Sequence, residues 1–139
     1  MRVLIPYDGS EQAEKAIEYA LTNHADDEIV LINVLDFIEA GYDSPPESAG
    51  PRHWDEWYEQ AETHAEGMLE DVAGAFEAPV ETETVVGRPS RAIVEYADGN
   101  DIDAIVIGSH GRDGLSRILL GSVAETVVRR SPVPVTVVR

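Results

Sequence analysis

Short apolar runs alternate with segments of helical periodicity along the chain, and this alternation restricts the fold more than any other feature. The apolar runs cover residues 2–7, 28–35, 80–86, 103–107 and 133–138, and the helical segments cover 10–23, 54–76, 89–97 and 122–130. Strands that alternate with helices form a parallel sheet, because each helix carries the chain back to the edge where the next strand begins. Since such crossovers are right-handed, the sequence predicts one doubly wound α/β domain over residues 1–139. Its five parallel strands are expected in the order 3-2-1-4-5, with helices on both faces.

The composition of two runs predicts their places in this sheet. Residues 103–107 are almost uninterrupted apolar residues, as in a parallel strand buried on both faces, whereas residues 80–86 mix valine and threonine with glutamate, as an edge strand does. In the predicted order the winding reverses between strands 1 and 4, and ligands of such sheets bind beyond the carboxyl ends of the strands at that point. The loop from Tyr7 to Ser10 and the loop from Gly108 onward are therefore expected to meet there and form the site.

The charge balance limits the class of partner. The chain has 27 acidic and 10 basic side chains and a formal net charge of −17. Such a surface repels nucleic acid and anionic membranes, so neither is expected as a partner. The carboxylates occur throughout the chain, which favours a halophilic origin, because at molar salt the Debye length is about 3 Å and self-repulsion is largely screened.

Two absences narrow the class of protein further. The sequence contains no cysteine, which excludes disulfides and thiolate metal sites. Its longest apolar runs fall well short of the roughly 20 residues that span a bilayer, and the N-terminal run is too short for a signal peptide. We expect a cytoplasmic protein without a membrane partner.

The glycine-rich segment after strand 4 offers two ways to bind a phosphate. Around Gly108 and Gly111, glycine permits positive φ and close approach of a ligand, and successive backbone N–H groups can form an anion nest. Gly121 and Ser122 precede a helix, whose free N–H groups and macrodipole favour phosphate. The same spacing also fits a tight turn followed by an ordinary helix start, since Ser122 and Glu125 match a capping box. The segment is neither a Walker A loop nor a dinucleotide fingerprint.

Several other residues near the expected site each have two possible roles. Arg112 and Arg117 either pair with a phosphate or remain solvated in the loop. Asp8 either accepts hydrogen bonds from a ribose or adenine group, or caps the first helix together with Glu11. Val34 either presents its backbone to an adenine edge or is a core valine. The four histidines have no metal-ligand spacing, and no serine or threonine has a credible His/Asp pair for nucleophilic hydrolysis.

Over essentially its whole length the sequence resembles the universal stress protein (UspA-like) family. The resemblance is carried by VLIPYDGS from Val3, INV from Ile32, VGRP from Val86, and most strongly by DAIVIGSHG from Asp103 and LGSVAETV from Leu120. The ATP-binding subgroup of that family carries the motif G-x2-G-x9-G-[ST], which is matched in full by Gly108, Gly111, Gly121 and Ser122.

The resemblance implies a role for individual positions. In this interpretation Asp8 contacts the nucleoside, the backbone of Val34 holds adenine, and Ile107 and Gly108 line the ribose. The phosphates are held by Gly111, Gly121, Ser122 and Val123. Tyr7 stands where the family often has a small residue, so it either stacks near adenine or crowds the pocket. The candidate binding residues are Pro6, Tyr7, Asp8, Val34, Ile107, Gly108, Gly111, Arg112, Gly121, Ser122 and Val123.

The function implied is that of an ATP-binding stress-response protein that regulates by binding, because no base or water-positioning residue accompanies the motif. The ligand is expected to be ATP, with or without Mg²⁺, although AMP, ADP or a cyclic nucleotide fits the same pocket. The resemblance also implies a homodimer through the last strand, at Val133, Val135 and Val137, which would close an exposed edge. Two alternatives stay open: an enzyme that slowly hydrolyses ATP or transfers phosphate, with Asp8 as metal ligand or base, and an interaction module that works without nucleotide.

Overall fold

Every predicted strand and helix is present in the structure, a computed structural model that describes residues 1–38, 51–109 and 120–139, with the backbone only for residues 51–54. The elements in chain order are β1 (Arg2–Pro6), α1 (Glu11–Asn23), β2 (Glu28–Leu35), α2 (Pro51–Ala73), β3 (Val80–Val86), α3 (Pro89–Gly99), β4 (Ala104–Gly108), α4 (Ser122–Arg130) and β5 (Val135–Val138). The limits of β2, β3 and α4 are those that the sequence predicts.

The strands form one sheet in the order β3-β2-β1-β4-β5, and every pair is parallel. This confirms the predicted fold. β1 pairs with β2 from Arg2↔Glu28 to Pro6↔Ile32, and with β4 at Val3↔Ala104 and Leu4↔Ile105. The chain therefore winds outward from β1 in both directions, and the switch point lies between the carboxyl ends of β1 and β4.

The core consists of two layers, one on each face of the sheet. Successive side chains of a strand point to opposite faces, so Val3 and Ile5 pack with α1 and α2, while Leu4 packs with α3 and α4. β3 lies at one edge of the sheet and exposes Glu81 and Thr82, as the mixed composition of its run predicts. The two layers leave the carboxyl ends of the strands open between the helix starts.

The limits of α2 and β5 differ from the prediction. α2 spans Pro51–Ala73 rather than 54–76. It ends early because the chain turns at Gly74, where the N–H of Phe76 bonds to the carbonyl of Ala73. β5 begins at Val135 rather than at residue 133, because the hydroxyl of Ser131 both donates to the carbonyl of Val133 and accepts its N–H. That local turn competes with strand pairing.

The charge is distributed unevenly between the two helical layers. Residues 1–87, which include α1 and α2, hold 21 of the 27 acidic side chains and three of the ten basic ones. Residues 88–139, which include α3, α4 and β5, hold six acidic and seven basic side chains. Acidic residues thus occur throughout the chain, but their excess belongs to its first part, and the second part is close to neutral.

Candidate functional site

A cleft of about 240 Å³ opens at the carboxyl ends of β1, β2 and β4, at the switch point of the sheet. Its walls come from the β1–α1 turn, the end of β2, the end of β4 and the starts of α3 and α4. The candidate residues in these walls are Pro6, Tyr7, Asp8, Val34, Ile107, Gly108 and Val123. The folding of the chain thus brings together residues that are more than 100 positions apart in the sequence.

The remaining candidates lie elsewhere. Gly121 is the N-cap of α4 and Ser122 is its first helical residue, so both adjoin Val123 without lining the cleft themselves. Gly111 and Arg112 lie outside the described residues, as do Arg117 and His110. The two described ends of the glycine motif therefore lie in the wall at Gly108 and next to the wall at α4.

Tyr7 is a core residue rather than a side chain standing in the cleft. It is 5 % exposed and packs with Ala13 and Ile17 in the layer of α1 and α2. Its hydroxyl donates to the carboxylate of Glu14. Burial, followed by that hydrogen bond and the nearby charge of Glu14, raises the pKa of Tyr7 to about 12. Tyr7 thus belongs to the α1/α2 layer of the core and is also one of the residues that line the cleft.

The turn that carries Asp8 is fixed by short-range contacts. One carboxylate oxygen of Asp8 accepts the N–H of Ser10 at 2.9 Å. Gly9 has φ of +81°, and an added Cβ there would lie 3.1 Å from the sulfur of Met68 in α2. Because L-residues rarely adopt that φ, glycine is required at this position. The turn leaves the other carboxylate oxygen of Asp8 available at the cleft.

The N-caps of α1 and α4 show that two interpretations of the sequence are wrong. Asp8 does not cap α1, because the cap is Ser10, whose hydroxyl accepts the N–H of Ala13 at 3.1 Å. Ser122 does not form a capping box with Glu125, because the helix begins one residue earlier than that motif requires. Glu125 instead pairs with Arg129 at 2.6 Å. Among the residues that the structure describes, no side chain caps the first N–H groups of α4, which suits them to an anion.

Gly108 lies where β4 and α1 approach each other most closely. A Cβ on Gly108 would fall well under 3.0 Å from the carbonyl of Gln12 and 3.1 Å from the amide nitrogen of Ala13. Both neighbours are helix backbone, which cannot rotate away. The first glycine of the motif is therefore needed for packing of the strand against the helix, in addition to any approach of a ligand.

The sequence model of a family described as "Universal stress protein family" matches residues 1–139 of the chain. The chain belongs to the universal stress protein family. Universal stress protein MJ0531 from Methanocaldococcus jannaschii is 34% identical over 143 residues, which cover 99% of this chain and 81% of that protein.

Solved structures agree with this assignment. The structure of hypothetical protein MJ0577 has a TM-score of 0.82 at 32% identity and covers 99% of this chain and 94% of its own. Universal stress protein UspA from Lactobacillus plantarum has a TM-score of 0.79 at 26% identity, with 100% and 97% covered. In this universal stress protein, none of the helices in the described ranges is long and apolar enough to cross a membrane.

Several wall residues of this universal stress protein were missed by the sequence reasoning. They are Ser10, Gln12, Ala13, Ile32, Asn33, Asp36, Pro89, Ile93 and Ala124. Most of them follow from the strand order, since whatever succeeds β1 and β2 must lie near the switch point. Asn33 carried a signal of its own, because it is a polar residue within the apolar run that forms β2.

The correction to the helix caps yields the first prediction. Ser10→Ala removes the only side-chain oxygen that caps α1 and is expected to lower the free energy of unfolding by about 1 kcal/mol. Ser122→Ala is the matched control, because Ser122 is exposed and its hydroxyl caps nothing. Its effect should lie within about 0.5 kcal/mol of zero. Urea unfolding in concentrated KCl measures both, and a larger loss in Ser122→Ala than in Ser10→Ala would contradict the cap assignment.

Proposed function

We propose that this universal stress protein binds ATP in the cleft between β1 and β4 and acts in a stress response by binding rather than by turnover. The observation that carries the proposal is the complete glycine motif. It begins at Gly108 in the cleft wall and ends at Gly121 and Ser122, at the start of α4, which no described side chain caps. Helix starts of this kind favour phosphate.

Relatives with the same fold support an adenine nucleotide as the ligand. One universal stress protein, from Arabidopsis thaliana, has a structure with AMP bound and a TM-score of 0.71 at 19% identity. Another has a structure in complex with cAMP and a TM-score of 0.63 at 24% identity. At these identities the likeness concerns the fold, so the ligand of this chain is our proposal.

The walls fit such a ligand chemically. Asp8 offers a free carboxylate oxygen to ribose hydroxyls, and the carboxyl end of β2 offers backbone groups to the base at Val34. Ile107 and Gly108 give a flat wall beside the sugar, with Pro6 and Tyr7 behind Asp8. The phosphates are proposed to lie at Gly121, Ser122 and Val123, at Gly111 on the strength of the family motif, and at Arg112 as a nearby cation.

Binding without turnover is favoured by the state of the two carboxylates in the wall. Asp8 accepts the N–H of Ser10, and Asp36 accepts the N–H of Ile38 at 3.0 Å, so each is engaged in a turn. Within the described ranges the wall includes no histidine, and no three histidine, aspartate or glutamate side chains are grouped to hold a metal. Among the described residues of the wall, Asp8 and Asp36 are thus the candidates for a base or water-positioning group, and one oxygen of each already accepts a backbone N–H.

The second prediction tests this function. ATP at a hundredfold excess over its Kd should stabilise the protein by about 2.7 kcal/mol, which raises Tm by roughly 8 °C for a chain of this size. The measurement is thermal unfolding in concentrated KCl with and without Mg²⁺, with AMP, ADP, cAMP and GTP compared at the same concentration. The absence of a shift with every adenine nucleotide would overturn the proposal, and phosphate release above the buffer rate would replace binding by hydrolysis.

We also propose that two copies associate through β5, in the cytoplasm of a halophilic organism. β5 is an edge of the sheet, and Val133, Val135 and Val137 are partly buried against the α3/α4 layer. The nearly neutral charge of residues 88–139, which include β5, supports this choice of surface, because it limits the repulsion between two copies there. The mass of the particle in concentrated KCl, measured by light scattering, tests the association.

A further inference from the structure

Asn33 interrupts the apolar run of β2 and makes one defined hydrogen bond. Its side-chain Nδ2 donates to the backbone carbonyl of Tyr7 at 2.9 Å, in a half-buried position. Asn33, Tyr7 and the neighbouring Val34 all line the cleft. The bond therefore joins the end of β2 to the turn that carries Asp8.

This bond replaces the next rung of the β1–β2 ladder. The N–H of Tyr7 donates to the carbonyl of Ile32 at 2.8 Å, and the regular pairing ends there at Pro6↔Ile32. In a parallel ladder the next rung would run from the N–H of Val34 to the carbonyl of Tyr7. That carbonyl holds the Asn33 side chain instead, and within the described residues no such rung is formed.

The orientation of the Val34 backbone follows from its neighbours. Alternate residues of a parallel strand direct both backbone groups to the same side. The carbonyl of Ile32 faces β1, and the carbonyl of Leu35 accepts the N–H of Gly87 on the β3 side. The N–H and C=O of Val34 must therefore point toward β1, where the strand has already ended and the cleft begins.

We infer that Asn33 is a positioning residue, which occupies the Tyr7 carbonyl and so leaves the Val34 N–H and C=O for the base of the ligand. This inference rests on the proposed function. A donor and an acceptor on one residue match the edge of adenine, where the acceptor N1 lies beside the 6-amino donor. In hypoxanthine and guanine, N1 carries a hydrogen and position 6 is an acceptor oxygen, so the donor and the acceptor are exchanged. The pair of groups that Asn33 leaves open therefore fits the adenine of the proposed ligand better than it fits a 6-oxopurine.

The third prediction removes the Asn33 donor without a change of charge. Asn33→Leu continues the apolar run and leaves the Tyr7 carbonyl open to the Val34 N–H. We expect the Val34 amide proton to exchange with water at least about tenfold more slowly in the ligand-free variant, because it gains a backbone partner. The Kd for AMP should rise about tenfold, equivalent to 1.4 kcal/mol, while Tm changes by no more than a few degrees, since the new rung and the apolar side chain offset the lost bond. The preference for AMP over IMP should shrink in the same variant.

Two further variants separate positioning from general stability. Asn100 makes a matched bond, from its Nδ2 to the carbonyl of Tyr96 at 2.9 Å and half-buried, at the far end of the sheet. Asn100→Leu should leave Val34 exchange and AMP affinity unchanged. Asn33→His keeps a donor, because ring Nδ1 of histidine is as many bonds from the backbone as Nδ2 of asparagine and can donate to the Tyr7 carbonyl. This variant should therefore retain fast exchange of the Val34 amide and most of the affinity for AMP.

The outcomes distinguish this inference from the proposed function. Amide exchange at Val34, followed by NMR without ligand, needs no nucleotide. If exchange is equally fast in Asn33→Leu and in the unaltered protein, or already slow in the unaltered protein, the role of Asn33 is refuted even when AMP binds. If exchange slows as expected but the unaltered protein binds no nucleotide, the release of Val34 stands and the proposed function falls.

Discussion

Gly108→Ala is expected to lower the free energy of unfolding by about 3 kcal/mol, a large effect for a substitution that adds a single methyl group. The added Cβ would overlap with the carbonyl of Gln12 and would lie unusually close to the amide nitrogen of Ala13. Overpacking against side chains is relieved by rotation and usually costs about 1–3 kcal/mol. Here the obstacle is the first turn of α1, so relief requires the helix or β4 to move. Equilibrium unfolding by urea in concentrated KCl measures the loss.

Gly67→Ala is the control for the substitution itself. Gly67 lies within α2, and nothing lies within 4 Å of an added Cβ there. Alanine should stabilise that helix by about 0.5–1 kcal/mol, because glycine is the poorer helix former. A Gly108→Ala variant as stable as the unaltered protein would show that β4 and α1 do not approach as closely as the structure has them. The same variant is expected to lose nucleotide binding, since Gln12, Ala13 and Gly108 share the cleft wall.

The sheet was predictable because its signals are local and periodic. The burial of Ile105, Val106 and Ile107 on both faces can be read from the uninterrupted apolar run, and the exposed edge at β3 from its glutamates. From alternating strands and helices, chain handedness leaves few possible strand orders. By contrast, the end of α2 and the start of β5 depend on single turns, at Gly74 and at Ser131, whose hydrogen bonds compete with the regular element.

The candidate site was predictable in its location and less so in its detail. The strand order alone places Asp8 and Gly108 at one site, and both line the cleft in the structure. The residue that caps α1 could not be predicted, because Asp8 and Ser10 are both good N-cap residues. Only the course of the backbone decides that the cap is Ser10. The role of Asn33 required the register of β1 and β2, since a side chain that replaces a ladder bond leaves no periodic trace in the sequence.

Asp8→Ala is expected to raise the Kd for ATP about thirtyfold, or about 2 kcal/mol, which is the usual worth of a hydrogen bond to a charged acceptor. The loss should exceed any gain from removing a negative charge near the phosphates. In concentrated KCl the Debye length is only about 3 Å, so that repulsion is screened while a direct hydrogen bond is not. Adenosine, which has no phosphate, should lose the same factor at every salt concentration. Isothermal titration with ATP and adenosine measures both effects.

Asp8→Asn separates the charge of Asp8 from its structural bond. An amide oxygen still accepts the N–H of Ser10, so the turn should persist and stability should change little. The bond to a ribose hydroxyl becomes a neutral one of about half the strength, so we expect a loss of about fivefold. At low salt the loss for ATP should shrink, because the unscreened repulsion between Asp8 and the phosphates disappears in the variant. If Asp8→Asn and Asp8→Ala both bind ATP as tightly as the unaltered protein in concentrated KCl, Asp8 serves the turn alone, and the nucleoside must be held by other groups of the cleft.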